Sequence, residues 1–449
     1  MSALVDFGFP KIYPINPAFT EVQGMKCYPH LTDVEGPIDY VISAVPAPYV
    51  LSVLEDAARK GVKAAHLFTA RFSETGRPEA AELEHKITQF AKDHGITLIG
   101  PNSMGIYYPA GKIAFHGDFP KEAGHVGMAS QSGMLARETV MVARLRGIRF
   151  SKVFSYGNAV DLNECDYLEY LAQDADTKVI LLYIEGAKDG RRLFETLRKA
   201  AAVKPVIILK GGRGVSGARA TSSHTASLSG SAQTWDAMVR QSGAVAADSL
   251  EELMDLAASF QSLPAIKDNR VGVVGGSGGF SVLAADQCEQ AGLNVVPLPQ
   301  GLRDDMKKQG ISIWDWLSNP ADTSIREDDK VTMGLIMEMM AKFPDFDFLI
   351  TMVGGMGGPG RVGGQSGMTA EEHLREQYHL DALHEKPLLA VLPERGFGKN
   401  EWDSAEWKSA CEMRSGLINL GVPFYPTMLR AATAARKLVD YYRRLDPSR

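Results

Sequence analysis

Four stretches of this sequence carry groups that could do chemistry on a phosphoryl group or another anion. The first is Ser130-Gln131-Ser132-Gly133, between the apolar run Val126 to Ala129 and an amphipathic run, Met134 to Arg146. Small residues at such a strand-to-helix turn let the backbone approach an anion, and the first helical turn offers it free N–H groups. The same residues serve equally well to pack a tight turn. The second is Gly275-Gly276-Ser277-Gly278-Gly279, after Val271–Val274 and before a helix expected over Phe280 to Ala291, with Gly292 as its C′ cap. No Gly-Lys-Ser/Thr follows, so it is not a Walker A loop, nor is it a clean dinucleotide fingerprint. An anion site and a structural turn both fit it. The third is the long loop from Lys210 to Ser231, whose one histidine, His224, sits among hydroxyls and small residues downstream of Arg213 and Arg219. A loop of that length is either functional or disordered. An exposed imidazole there suits a phosphoryl group; a lone loop histidine is otherwise a solvated surface residue. The fourth is Glu185, which follows the apolar run Val179 to Ile184 and precedes Gly186. A carboxylate at a strand's carboxyl end faces the crevice, where it could hold the tautomer of a nearby histidine. A helix cap or a surface ion pair is the other reading.

The elements that must position these residues follow from hydrophobic patterning. Strands are expected over Asp39–Val45, Ala64–Phe68 and Thr97–Ile99, with helices over Tyr49–Lys60 and Pro78–His94 between them. Pro78 suits the first helical position, where no backbone N–H is needed. A second series has strands at Val126–Ala129, around Val153, at Val179–Ile184 and at Val206–Leu209. It closes with a helix over Leu250–Gln261, where Ser249 and Glu252 have capping-box spacing. A third has strands at Val271–Val274, Phe348–Val353 and Pro387–Leu392 and a last helix over Met428–Arg444. Continuous apolar strands separated by helices indicate parallel sheets covered on both faces, with ligands beyond the carboxyl ends of the strands. Boundaries near Phe119–Gly124 and Leu263–Asn269 divide the chain into three α/β domains, 1–122, 123–265 and 266–449.

Across 449 residues, 45% hydrophobic and 23% charged residues are the balance of a folded globular protein, too long for one ordinary core. A net charge of −6 gives no electrostatic footprint for nucleic acid or an anionic membrane. Cys27, Cys165, Cys288 and Cys411 are far apart and without metal-ligand spacing, so no metal site is expected, and they read as reduced cytosolic thiols. No apolar run approaches the roughly 20 residues of a membrane helix, and the N-terminus lacks a signal-peptide pattern. A cytoplasmic protein is expected.

Taken in order, Tyr13-Pro14-Ile15-Asn16-Pro17, Gly100-Pro101-Asn102, Ser130-Gln131-Ser132-Gly133, Gly157-Asn158-Ala159-Val160-Asp161, Tyr183-Ile184-Glu185-Gly186, Ser222-Ser223-His224-Thr225 and Asn319-Pro320-Ala321-Asp322 form a specific set. It resembles the alpha subunit of the ADP-forming acyl-CoA synthetases of the acetyl-CoA synthetase type, in the succinyl-CoA synthetase superfamily. The likeness runs on to Gly421-Val422-Pro423 and covers nearly the whole chain. It implies a Rossmann-like CoA-binding domain followed by two flavodoxin-like domains of the succinyl-CoA ligase type. It also implies that His224 is the phosphorylated histidine and Glu185 the carboxylate that steadies it. Ser130, Gln131, Ser132 and Gly133, with Gly276, Ser277, Gly278 and Gly279, would then bind phosphate at two helix N-termini. The implied reaction interconverts acyl-CoA, phosphate and ADP with a carboxylic acid, CoA and ATP, through an acyl phosphate and a phosphohistidine.

In that family an ATP-grasp domain holds the nucleotide and Mg²⁺, and nothing in this sequence resembles one. A separate ATP-grasp beta subunit and a hetero-oligomer are therefore expected. The family's CoA domain opens with a strand and a glycine-rich loop, whereas Met1 to Lys11 here resembles the end of the helix that follows. The Rossmann-like domain is thus expected to be truncated by its first βα unit, with an exposed sheet edge and weak binding of CoA. Val45, Pro46, Thr69, Ala70, Arg71 and Asn102 remain as CoA contacts. Arg71 stands where glycine is usual, and its guanidinium either binds a CoA phosphate or obstructs the pantetheine. A non-catalytic CoA- or acyl-CoA-binding paralogue is the alternative, against which His224 and Glu185 both weigh.

Overall fold

A computed structural model describes residues 1–219, 231–324, 331–353, 368–393 and 404–446 of the chain, which divides into two compact units, Met1–Leu253 and Met254–Arg449. The first unit contains two main sheets. The smaller has three parallel strands in the order Tyr40–Ser43, Ala64–Leu67, Thr97–Ile99. Helix Val50–Lys60 lays Val50, Leu54 and Ala57, spaced for one helical face, into its core and stops at Gly61 in the left-handed region. Helix Pro78–Asp93 begins at its proline, as the sequence leads one to expect, and buries Ile87 and Ala91.

The larger sheet has six strands in the order Val245–Ala247, Val206–Lys210, Val179–Ile184, Val126–Ser130, Phe150–Ser155, Gly105–Tyr107. The first five are parallel, and Gly105–Tyr107 closes the edge antiparallel to Phe150–Ser155. Numbered along the chain, the parallel strands run 2-1-3-4-5, the flavodoxin-like order, whose switch point lies between the first strand and the third. Here those are Val126–Ser130 and Val179–Ile184, with Ser130 in register with Tyr183. The loops leaving the switch point carry Gln131 and Glu185. Both strands are apolar and buried along almost their whole length, as a sheet covered on both faces requires. The edge strand Gly105–Tyr107 comes from the stretch that sequence patterning groups with the N-terminal domain, so the chain enters the second sheet before the 122/123 division.

The second unit repeats the arrangement. Its parallel sheet runs Asn294–Val295, Arg270–Val274, Phe348–Met352, Leu388–Val391, Phe424–Tyr425, again 2-1-3-4-5. The helix after its first strand spans Gly278–Gln290 and so begins two residues before Phe280, which puts Gly278 and Gly279 inside its first turn. Helix Met333–Ala341 packs Ile336, Met337 and Met340 into this unit's core, where unbranched methionines fill irregular gaps. Among the described residues, no helix is long and apolar enough to cross a membrane, and no three His, Cys, Asp or Glu side chains are grouped to hold a metal ion.

Candidate functional site

The carboxyl ends of the three strands in the small sheet lead into the loops of Val45, Thr69 and Asn102, and hydrogen bonds join these loops. Thr69 Oγ1 donates to Val45 O, and Asn102 N donates to Thr69 O at 2.9 Å. They form one wall of a cleft of about 1100 Å³. All six residues expected to contact CoA, namely Val45, Pro46, Thr69, Ala70, Arg71 and Asn102, line it. From the other side Gln131, Ser132, Gly133 and Met134 bring in the start of helix Gly133–Ala143. Ligand sites commonly measure roughly 300–1,000 Å³, so this one has room for an extended molecule.

Ser132 is the N-cap of that helix, its Oγ accepting from Leu135 N at 3.3 Å, which leaves N–H groups of the first turn directed outward. Ser130 is fully buried, and its Oγ donates to Ser132 O at 2.7 Å, bracing the turn from inside. Gly276, Ser277, Gly278 and Gly279 lie in the second unit, where Ser277 caps helix Gly278–Gln290 without a side-chain hydrogen bond.

The floor of the cleft is a joint between two sequence motifs. Asn158 N donates to Pro101 O at 3.0 Å, Val160 N to Gly100 O at 3.2 Å, and Leu98 N to the Asp161 carboxylate at 2.8 Å. Gly157, which lines the cleft, has φ +57, and a Cβ there would lie 2.2 Å from Pro101 O and 2.3 Å from Asn102 O. Gly157→Ala is therefore expected to destabilise the protein by about 3 kcal/mol, the sum of left-handed strain and a backbone collision. Gly190→Ala, where the new Cβ meets nothing within 4 Å, is the control and should be close to neutral. Denaturant midpoints of the two variants check this; equal midpoints would mean that the joint yields.

Arg71 also has a left-handed backbone, φ +79, which accounts for glycine being the usual residue there. The Glu74 carboxylate holds the strained loop by accepting from Arg71 N and Phe72 N, while Asn158 Nδ2 donates to Glu74 Oε2 at 2.6 Å. The Arg71 side chain is exposed at the cleft, as is that of Arg77, and neither guanidinium makes an ion pair among the described residues.

Glu185 sits at the switch point and is only 7% exposed. Tyr183, two residues earlier and hence on the same face of the strand, donates its hydroxyl to Glu185 Oε1 at 3.2 Å. Burial, then the Glu185 charge, pushes the Tyr183 pKa up, so the phenol stays a donor. Glu185 N and Gly186 N donate to Gln131 Oε1 at 2.8 and 3.2 Å. The Lys210 ammonium donates to Glu185 O at 2.6 Å and lies 5.4 Å from the centre of the Trp235 ring. Burial lowers the Lys210 pKa, and the Glu185 carboxylate opposes that shift.

Arg213, upstream of His224 in the sequence, is tied to Asp236 and Asp248, each at 2.9 Å. His224 itself lies outside the described residues. Sequence reasoning missed Tyr183, Lys210 and Gln131 as supports of Glu185. Only Tyr183 left a signal, its two-residue spacing along a strand.

With this geometry in hand, residues 1–109 match a family model described as a CoA binding domain, and residues 123–260 one described as a succinyl-CoA ligase like flavodoxin domain. Over 290 residues, 64% of this chain, it is 44% identical to an acetate–CoA ligase [ADP-forming] of Methanocaldococcus jannaschii; the chain spans 40% of that relative's length. It is 36% identical over 387 residues to the alpha subunit of acetate–CoA ligase [ADP-forming] II of Pyrococcus furiosus, covering 85% of this chain and 82% of that one. A solved structure of Ca. Korarchaeum cryptofilum dinucleotide forming acetyl-coenzyme A synthetase 1, in complex with phosphate and ADP, aligns with a TM-score of 0.80 at 28% identity. That alignment covers 99% of this chain and 92% of the other. A relative matched along most of both chains and two family models in the expected order carry one conclusion: the chain belongs to the ADP-forming acyl-CoA synthetases, acid–thiol ligases, as a member of their alpha-subunit type.

Proposed function

We propose that the chain interconverts acyl-CoA, phosphate and ADP with a free acid, CoA and ATP, as the alpha-type subunit of an NDP-forming acyl-CoA synthetase. Phosphate attacks the thioester to give an acyl phosphate, and His224 takes the phosphoryl group and passes it to the nucleotide. Glu185 orients the imidazole, and the helix start after Ser132 stabilises the dianionic phosphohistidine; Gly276, Ser277, Gly278 and Gly279 form a second phosphate-binding helix start. Residues 1–122 bind CoA, 123–265 carry the phosphohistidine, and 266–449 form the second ligase domain. A separate ATP-grasp beta subunit supplies the nucleotide and Mg²⁺ site in a cytoplasmic hetero-oligomer.

The observation that carries this reading is the cleft, whose one wall is the CoA-candidate loops and whose other is the Gln131–Met134 turn beside Glu185. It gives a CoA ligand and a phosphate-binding helix start a common space. The test is turnover by the chain with its ATP-grasp partner, supplied with acetate, CoA and ATP. Acetyl-CoA and ADP are expected in equal amounts. Release of AMP, or CoA binding with no turnover, would sink the reading and leave a CoA-binding paralogue.

Arg71 binds a CoA phosphate in this reading, because two guanidiniums with no ion-paired carboxylate line one cleft. One charge-assisted contact is worth about 1.5–3 kcal/mol, so Arg71→Ala should weaken CoA binding by about 10-fold or more in calorimetry. Tighter binding by the variant would show the guanidinium to be an obstruction.

A further inference from the structure

Gln131 is 9% exposed and is one of the residues that line the cleft. Its orientation follows from its partners. Two backbone N–H groups, those of Glu185 and Gly186, converge on one end of the side-chain amide. An amide nitrogen cannot accept from them, so that end is the oxygen and the NH₂ must point elsewhere. The main chain is fixed as well, Gln131 N donating to Tyr183 O at 3.0 Å. Among the described residues Nε2 has no acceptor. An amide donor on a nine-tenths buried residue that lines a cleft, its other end held by two hydrogen bonds, is preorganised for an oxygen that enters the cleft.

We propose that Gln131 is a catalytic residue of the acyl half-reaction, its Nε2–H donating to the thioester carbonyl oxygen of acyl-CoA; this rests on the function proposed above. An oxygen of hydrogen phosphate forms a bond to the carbonyl carbon, and the carbonyl oxygen takes up negative charge. Collapse re-forms the C=O and breaks the C–S bond. The products are acyl phosphate and CoA thiol, the thiol receiving the proton that the phosphate carried. The hydrogen bond to Nε2 strengthens as charge builds on the oxygen, so it acts mainly in the transition state. A neutral amide suits that role, since it stabilises the transient oxyanion without binding the anionic phosphate as a counterion. Through its other end the same side chain holds the Glu185 turn, so one residue joins the acyl half of the reaction to the phosphoryl half.

Gln131→Glu separates the two ends. A carboxylate still accepts both backbone N–H groups but cannot donate until it is protonated. In the complex with the ATP-grasp partner, two half-reactions are read: phosphate-dependent release of CoA from acetyl-CoA, and labelling of His224 by ATP. The first should lose about 10²-fold in kcat at saturating phosphate and near-neutral pH, the usual cost of one oxyanion donor. Relative to the parent it should recover as the pH falls and the introduced carboxylate takes a proton. The second, which involves no thioester, should lose much less than the first, its loss measuring the new charge beside the phosphate-binding turn. A parental kcat in the first half-reaction, or a loss confined to the KM for phosphate, would overturn the proposal. Equal losses in both would reduce Gln131 to a positioning residue for Glu185 and overturn it too. A parent complex inactive in both half-reactions would remove the proposed function itself.

Discussion

His224→Ala should abolish the transfer of a labelled phosphoryl group from ATP to this chain and lower overall turnover by on the order of 10³-fold or more, the scale of losing a covalent nucleophile. The label on the parent should be acid-labile and base-stable, as a phosphoramidate is and a phosphoserine is not. That contrast matters because His224 is surrounded by Ser222, Ser223, Thr225 and Ser227, any of which could carry a phosphate ester. The half-reaction before the histidine should survive. Phosphate attacks the thioester before the imidazole takes part, so the variant should still release CoA from acyl-CoA when given phosphate, and hydroxylamine should trap the acyl phosphate. Equal labelling of parent and variant would remove His224 from the mechanism. Loss of CoA release along with the label would place the histidine earlier in the sequence of steps.

Glu185→Gln should lower turnover by about two or more orders of magnitude, the range for a group supporting acid–base or nucleophilic chemistry. The substitution keeps the volume and hydrogen-bonding length of the side chain. It leaves the backbone bonds from Glu185 N to Gln131 and from Lys210 to Glu185 O in place, because neither uses the carboxylate. What it removes is the negative charge. Tyr183 can still donate to an amide oxygen, which leaves the amide NH₂ as the group offered to the imidazole, where a carboxylate would have accepted its N–H. The unfolding midpoint should therefore stay near that of the parent while phosphorylation slows. Unchanged phosphorylation and turnover would reduce Glu185 to a structural carboxylate.

The parts of this fold that patterning makes legible are the long apolar strands. Val179–Ile184 and Val206–Leu209 read as strands because six and four apolar residues in a row have no other use between two helices, and all but Tyr183 and Leu209 are buried. Asn294–Val295 and Phe424–Tyr425 are two residues long, too short for any period to show. Gly105–Tyr107 is found only through its pairing with residues near 154, which local patterning does not encode. The site divides in the same way. Glu185 is legible as a carboxylate at the end of an apolar run, whereas the hold of Gln131 on it joins residues 54 apart in sequence. Arg213 shows the converse: it stands near His224 along the chain, and two carboxylates more distant in sequence hold it. The likeness to a known family supplied the order of motifs. The strand order explains why those motifs meet.

The joint beneath the cleft bears on how the first unit comes apart. The amides of Leu98, Asn158 and Val160, on either side of the 122/123 division, are hydrogen-bonded across it. Lifting the Gly157–Asp161 turn strands the buried carbonyls of Gly100 and Pro101, and opening the small sheet strands the amide of buried Asn158. Neither region can open locally without leaving a buried group unmatched, so the two should exchange amide hydrogens as one cooperative foldon. A cut in the linker would sever the polypeptide and leave that foldon intact. Residues 1–109, matched as a CoA binding domain, are thus not expected to melt by themselves.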